Sequence, residues 1–185
     1  MDRAKFFDGI RQLIRRLTPS QVRRIEAVLD EITKRALPLN QAAYILATGH
    51  YESDHWRTMT EYASGRAYEG RKDLGNTQRG DGVNFKGRGL VQLTGRRNYA
   101  DWSKRLGVDL IAMPVLATEL PIAARVLVEG MLQGTFTGKR LGHYVNEKIA
   151  DYIGARKVVN RLDRADLIAT YARKYLSALE AAQKK

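Results

Sequence analysis

Apolar residues recur at helical spacing over most of this chain. Phe6, Phe7, Ile10, Leu13 and Ile14 fall on one face of a helix over residues 4–16. Thr18-Pro19-Ser20-Gln21 is a helix start, with a Thr cap, Pro at the first helical position and Gln three residues after the cap. Val22, Ile25, Val28, Leu29 and Ile32 make the apolar face of the helix that follows. Pro38 separates it from a third helix over about 40–51, where the run QAAYILAT reads as buried. Further helices are predicted near 98–106 and 121–133, the latter with Pro121 near its start and Gly134 past its end. A last helix over 163–181 carries the stripe Leu167, Ile168, Tyr171, Ala172, Tyr175, Leu176 and Leu179.

The helical pattern stops between residues 57 and 98. Glycines at 65, 70, 75, 80, 82, 87 and 89 exclude a long regular helix, so loops with a short hairpin are expected. Long irregular segments inside compact domains are usually functional. The expected architecture is mainly α, a single domain over 1–185 with a lobe insertion at about 57–95. Neither an internal repeat nor a separate binding domain is expected.

Composition narrows the function. The chain has 185 residues, 44% of them hydrophobic, enough for a substantial core. It has no cysteine, which rules out disulfides and thiolate metal sites. The opening MDRAKFFDGIRQLIRRL lacks the uninterrupted apolar core of a secretory signal, since Asp8, Arg11, Arg15 and Arg16 break it. No stretch reaches the roughly 18 apolar residues of a membrane span. The formal charge of +12 implies an anionic partner such as nucleic acid, an acidic membrane surface or a cell-wall polymer. The basic residues are spread along the chain, which argues against a localisation tag or a disordered nucleic-acid arm.

Candidate chemistry sits in GHYESDHW, residues 49–56, directly after the apolar helix. A carboxyl at a helix C-terminus meets partial negative charge, and partial burial disfavours its ionised form as well. Glu52 is therefore placed to keep a proton for a leaving oxygen, as a glycosidase acid must. A second carboxylate must activate water or attack. Asp54, Glu61, Glu69, Asp73 and Asp81 follow. Asp54 is too near in sequence to face Glu52 across a sugar, Glu61 reaches the opposite wall if the chain turns near Arg57, and Glu69 is the reserve. On spacing alone, the same acids also read as surface partners of Arg57, Arg66, Arg71 and Lys72.

In KGRGLVQLTGRRNY, residues 86–99, Gln92 and Thr94 alternate with Val91 and Leu93. The alternation predicts an extended segment with the amide and hydroxyl on one face, suited to sugar recognition and to holding a water. The glycine spacing fits neither a P-loop nor a dinucleotide fingerprint. His50 and His55 are five apart, and the HExxH pattern of zinc proteases is missing. Arg79-Gly80-Asp81 reads as a tight turn. Trp56, Tyr62, Tyr68 and Trp102 are candidates to stack on sugar rings, with Trp102 the more natural core residue.

Taken together, AYILATGHYES at 43–53, EYASGRAYEGRKDLGNTQRGDG at 61–82, FKGRGLVQLTGRRNY at 85–99 and ARKVVNRLDRADLIATYARKY at 155–175 resemble glycoside hydrolase family 19, in particular short phage-type endolysins related to plant chitinases. The resemblance implies a lysozyme-like, two-lobed helical fold with a cleft, no metal or cofactor, and inversion at the anomeric carbon. It puts the general acid on Glu52, although Tyr51 stands where the family usually has His. Glu61 is the second acid, with Glu69 as the alternative. Gln92, Thr94 and Asn98 match groups that position sugar and water, and Tyr51 and Asn160 fall among the cleft residues, with Arg161 replacing the usual Gly after Asn160. Inversion needs the two carboxyls roughly 6.5–9.5 Å apart. The implied partner is peptidoglycan glycan strands at an anionic envelope surface. The chain is expected to act as a monomer held in the host cytoplasm, until a separate holin-like protein lets it reach the periplasm and wall. The rivals are a chitinase, a lytic transglycosylase and a non-catalytic cationic binding protein for nucleic acid or cell wall.

Overall fold

A computed structural model describes residues 1–184. Among these, seven α-helices follow one another: α1 Arg3–Gly9, α2 Pro19–Lys34, α3 Leu39–Glu52, α4 Asp81–Asn84, α5 Arg96–Leu106, α6 Leu120–Gln133 and α7 Ala165–Gln183. Short 3-10 turns and irregular chain connect them.

The Thr18 start folds as its residues dictate. Its hydroxyl accepts from the Gln21 N–H, and the Gln21 side chain accepts from the Thr18 N–H. The first helix is shorter than its apolar spacing predicts. It ends at Gly9 and tightens into a 3-10 turn at Ile10–Gln12, which still buries Ile10 against the core.

Helix α3 lies at the centre, buried from Gln41 through His50. Helix α7 packs along it, α1 packs on α7, and α6 packs on α2. The α7 stripe expected from sequence is core in its greater part, with Ile168, Ala172, Tyr175 and Leu179 buried. Leu167 is 38% exposed instead and turns toward a cleft described below. No helix among the described residues is long and apolar enough to cross a membrane.

Gly49 shows how tightly α3 is wedged. A Cβ there would lie 2.6 Å from the Trp56 ring and 2.9 Å from Leu127 Cδ2, both fully buried side chains. Overpacking costs up to about 3 kcal/mol, against the roughly 1 kcal/mol that alanine gains in a helix. Gly49→Ala is therefore expected to cost about 2 kcal/mol, read as a Tm lowered by roughly 4–8 °C in thermal unfolding.

The glycine-rich segment forms no long strand. Isolated antiparallel bridges join Thr60 to Arg88 and Arg88 to Leu93. The segment is ordered by side chains that satisfy its backbone. Asp81 is fully buried, accepts from the Thr77 and Gln78 N–H groups, and pairs with Arg96 at 2.6 Å. The Arg79-Gly80-Asp81 turn is thus part of the framework, with Gly80 in the left-handed region at φ +90°.

Candidate active site

Glu52 is the last residue of α3, and the chain after it reverses sharply. Asp54, His55 and Trp56 all sit in the left-handed region, at φ +48°, +57° and +64°. That conformation costs about 1–2 kcal/mol per residue for side chains with a Cβ, so neighbouring structure must hold it. The holding groups come from α2 and from α3 itself. Gln21 Nε2 donates to the His55 carbonyl at 2.8 Å, Arg24 donates to the Trp56 carbonyl at 2.5 Å, and the His55 N–H donates to the His50 carbonyl at 2.7 Å. The reversal buries Trp56 completely, which removes it from the candidate sugar platforms, and Trp102 is 2% exposed and likewise core.

The Glu52 carboxyl is partly buried, as expected from its place after QAAYILAT, and it is paired with a buried cation. Arg156, 2% exposed, donates to Glu52 Oε1 at 2.5 Å, and its guanidinium lies 5.4 Å from the centre of the Tyr51 ring. Arg156 Nε also donates to the Asp163 carbonyl, which fixes the guanidinium from behind. Glu52 Oε2 has no hydrogen-bond partner among the described residues.

Glu61 stands on the facing segment. Its Oε1 accepts from the Tyr68 hydroxyl at 2.9 Å and its Oε2 from the Gly87 N–H at 3.0 Å. Burial and the bond to Glu61 push the Tyr68 hydroxyl above its ordinary value, which keeps it a donor. The backbone is pinned as well: the Glu61 N–H donates to the Gly87 carbonyl at 2.9 Å, and Lys86 Nζ donates to the Glu61 carbonyl at 3.1 Å.

A cleft of about 410 Å³ brings Tyr51, Glu52, Glu61 and Gln92 together, with Asp54, His55, Tyr62 and Tyr171 also on its walls. Gln92 forms part of an adjoining cavity of about 180 Å³ too, lined by Thr94, Asn98 and Trp102. The alternation at 91–94 holds in burial, with Val91 and Leu93 in the core and Gln92 and Thr94 partly exposed. The segment is a tight turn, not an extended strand. Arg88 and Leu93 exchange backbone hydrogen bonds, and Gln92 has φ +55°.

Glu69 and Asn160 stand apart from the cleft walls. Both Glu69 oxygens accept backbone N–H groups, from Gly80 at 2.6 Å and Gly82 at 2.8 Å, so the side chain ties the glycine-rich loop. Asn160 is exposed, and its Oδ1 accepts from the Arg161 N–H at 2.9 Å.

Sequence reading missed Arg156 and Gly87 as parts of this site, and it offered Tyr68 as a ring for sugar to stack on, whereas its hydroxyl holds Glu61. Gly87 carried a signal, since it lies in the GRG stretch. A Cβ at Gly87 would lie 2.8 Å from Gln92 Oε1 and 3.2 Å from Glu61 Oε2. Only glycine lets the amide and the carboxylate converge there. Gly87→Ala is expected to displace Glu61 and lower any turnover at this cleft by about 10²-fold, because misplacement by an ångström costs that much. Steady-state kinetics beside a thermal melt would check it, with the melt close to wild type.

No family model matches the chain. A curated protein of Haemophilus influenzae, a glycosyl hydrolase family 19 domain-containing protein, is 44% identical over 50 residues, which are 27% of this chain and 25% of that protein. The chain thus spans about a quarter of the length of that relative. Among solved structures, chitinase C from Streptomyces griseus superposes with a TM-score of 0.63 at 16% identity, over 98% of this chain and 76% of the other. A mutant of chitinase C gives 0.61 at 17% identity, over 100% and 93%. These likenesses show the fold, mainly helical and lysozyme-like. The chain is thus similar over 50 residues to a glycosyl hydrolase family 19 domain-containing protein, and along its whole described length its fold is similar to that of chitinase C.

Proposed function

We propose that the chain is a glycoside hydrolase that cuts β-1,4 bonds between amino sugars with two carboxyl groups, and that its substrate is the glycan of peptidoglycan. The observation that carries the reading is the pairing of Glu52 and Glu61 in one cleft, in different states of constraint. Glu52 keeps Oε2 unpaired, the atom from which a proton passes to the leaving oxygen. Arg156, on Oε1, then faces the carboxylate that proton transfer leaves behind. Glu61 accepts hydrogen bonds on both oxygens, as an acceptor-only carboxylate does, and is positioned to take a proton from attacking water. Gln92, on the wall of the same cleft, is placed to hold sugar or water, and the Thr94 hydroxyl, in the adjoining cavity, donates to the Gln92 carbonyl. Tyr62, 80% exposed on the cleft wall with its hydroxyl donating to Asp54 at 3.1 Å, offers a braced ring for a sugar to stack on.

The net charge of +12 favours an anionic polymer, and therefore peptidoglycan within an envelope over uncharged chitin. An endolysin role follows: a monomer acting on the wall from the cytoplasmic side, once a separate membrane-permeabilising protein releases it. The fold shared with chitinase C favours chitin as the second reading.

Digestion of purified Gram-negative peptidoglycan and of chitin oligosaccharides, with products identified by mass spectrometry, separates the two. Hydrolysed muropeptides with free reducing ends are expected from peptidoglycan. Products from chitin alone would give the chitinase reading, and 1,6-anhydro ends would mean a lytic transglycosylase. No product from either, from well-folded protein, would overturn the hydrolase.

A further inference from the structure

We propose that His55 is a substrate-binding residue that presents Nε2–H to an acceptor oxygen of the bound amino sugar, in a tautomer fixed by a chain of buried hydrogen bonds from Trp56 through Tyr175 and His50. The inference rests on the glycan reading of the cleft and adds to it a donor that the two-carboxylate chemistry does not use.

The chain of bonds starts in the core. Trp56 Nε1 donates to the Tyr175 hydroxyl at 2.9 Å, His50 Nδ1 lies 2.9 Å from the same hydroxyl, and His50 Nε2 lies 2.7 Å from His55 Nδ1. Trp56, His50 and Tyr175 are completely buried, whereas His55 is exposed on the wall of the cleft that holds Glu52 and Glu61. Burial, with His55 close by, pushes His50 down to about 3, so His50 is neutral and one of its nitrogens must accept.

Donor counting then settles the direction. An indole N–H only donates, so the Tyr175 oxygen accepts from Trp56 and has its own hydrogen to give. His50 Nδ1 is its one acceptor among the described residues. The hydrogen on His50 is therefore on Nε2, and it goes to His55 Nδ1. Neutral His55 in turn carries its hydrogen on Nε2, on the side of the ring away from His50. The reverse order would leave a completely buried hydroxyl hydrogen with no acceptor, which folded proteins avoid. The left-handed run at residues 54–56 serves this arrangement, because it turns His55 and Trp56 back onto the same pair of side chains.

The tautomer is read directly on wild-type protein with 15N-labelled histidine, by long-range proton–nitrogen correlation at neutral pH. Both His50 and His55 are expected to be protonated at Nε2, and a His55 protonated mainly at Nδ1 would overturn the proposal whatever the activity. Tyr175→Phe removes the hydroxyl that sets the order and is expected to give His55 a mixture of tautomers; an unchanged single form in the folded variant would also overturn it. On peptidoglycan, His55→Ala is expected to raise KM about tenfold, the worth of one hydrogen bond, with kcat nearly unchanged. His55→Gln offers an N–H near the place of Nε2 and should recover most of the loss. A wild-type KM in His55→Ala, while wild type cuts glycan, would contradict the proposal. A wild type that cuts no glycan contradicts the hydrolase reading instead and leaves the tautomer measurement to decide.

Discussion

Glu52→Gln is expected to lower kcat on glycan by about 10³-fold, within the range that a positioned general acid supplies. The amide keeps the shape of the side chain and its oxygen still accepts from Arg156, so the fold should hold. Glu52→Ala removes more than chemistry. Arg156 is 2% exposed and would lose its carboxylate while retaining its bond to the Asp163 carbonyl. Truncation leaves the buried guanidinium without the acceptor that the glutamine oxygen still supplies, at about 3 kcal/mol. The alanine variant should therefore be inactive and also melt well below both wild type and the glutamine variant. Thermal unfolding of the three proteins would separate the two losses. Equal melting of Glu52→Ala and wild type would mean that the Arg156 pair contributes little.

The second large effect is loss of stability in mild acid. His50 is held near 3 in the fold by burial, with the neighbouring His55 adding to the effect, against 6.5 for a free histidine. A histidine depressed in this way stays neutral in the fold while the unfolded chain takes up a proton. Above about 6.5 neither state binds that proton and stability is flat. Below it, the unfolded state gains about 1.4 kcal/mol per pH unit, until the fold itself protonates near 3. Stability should fall by about 2–3 kcal/mol between pH 6.5 and pH 4.5. That window lies above the ordinary carboxyl value of 3.8, below which Asp54 and Asp81, both held down by hydrogen bonds from Arg57 and Arg96, begin to lose their contribution. Urea unfolding at the two pH values would show the drop, and His50→Gln should flatten it even if its stability is lower throughout.

The helical frame was legible because its signals are local. The Thr18 capping box, the apolar run before Gly49 and the stripe on α7 each fix an element within a few residues of sequence. The end of α1 at Gly9 was not, since the apolar spacing continues through Ile14 while the chain tightens around Ile10 to reach the core. The glycine-rich segment could be read only as irregular. Its order depends on Asp81 with Arg96 and on Glu69 with the Gly80 and Gly82 N–H groups, contacts that no periodicity encodes. The cleft divides along the same line. Glu52 follows from its place at the end of a buried helix, and Gln92 from the alternation at 91–94. Arg156 lies 104 residues from the carboxyl it holds, and only the packing of the chain brings them together.

The most direct measurement counts new reducing ends released from purified peptidoglycan by wild type, Glu52→Gln and Glu61→Gln side by side, with each variant's melting temperature recorded. Release by wild type and its loss in both variants, at unchanged stability, is the predicted result. Full activity in Glu61→Gln would contradict a two-carboxylate hydrolysis, and full activity in Glu52→Gln would place the chemistry outside this cleft.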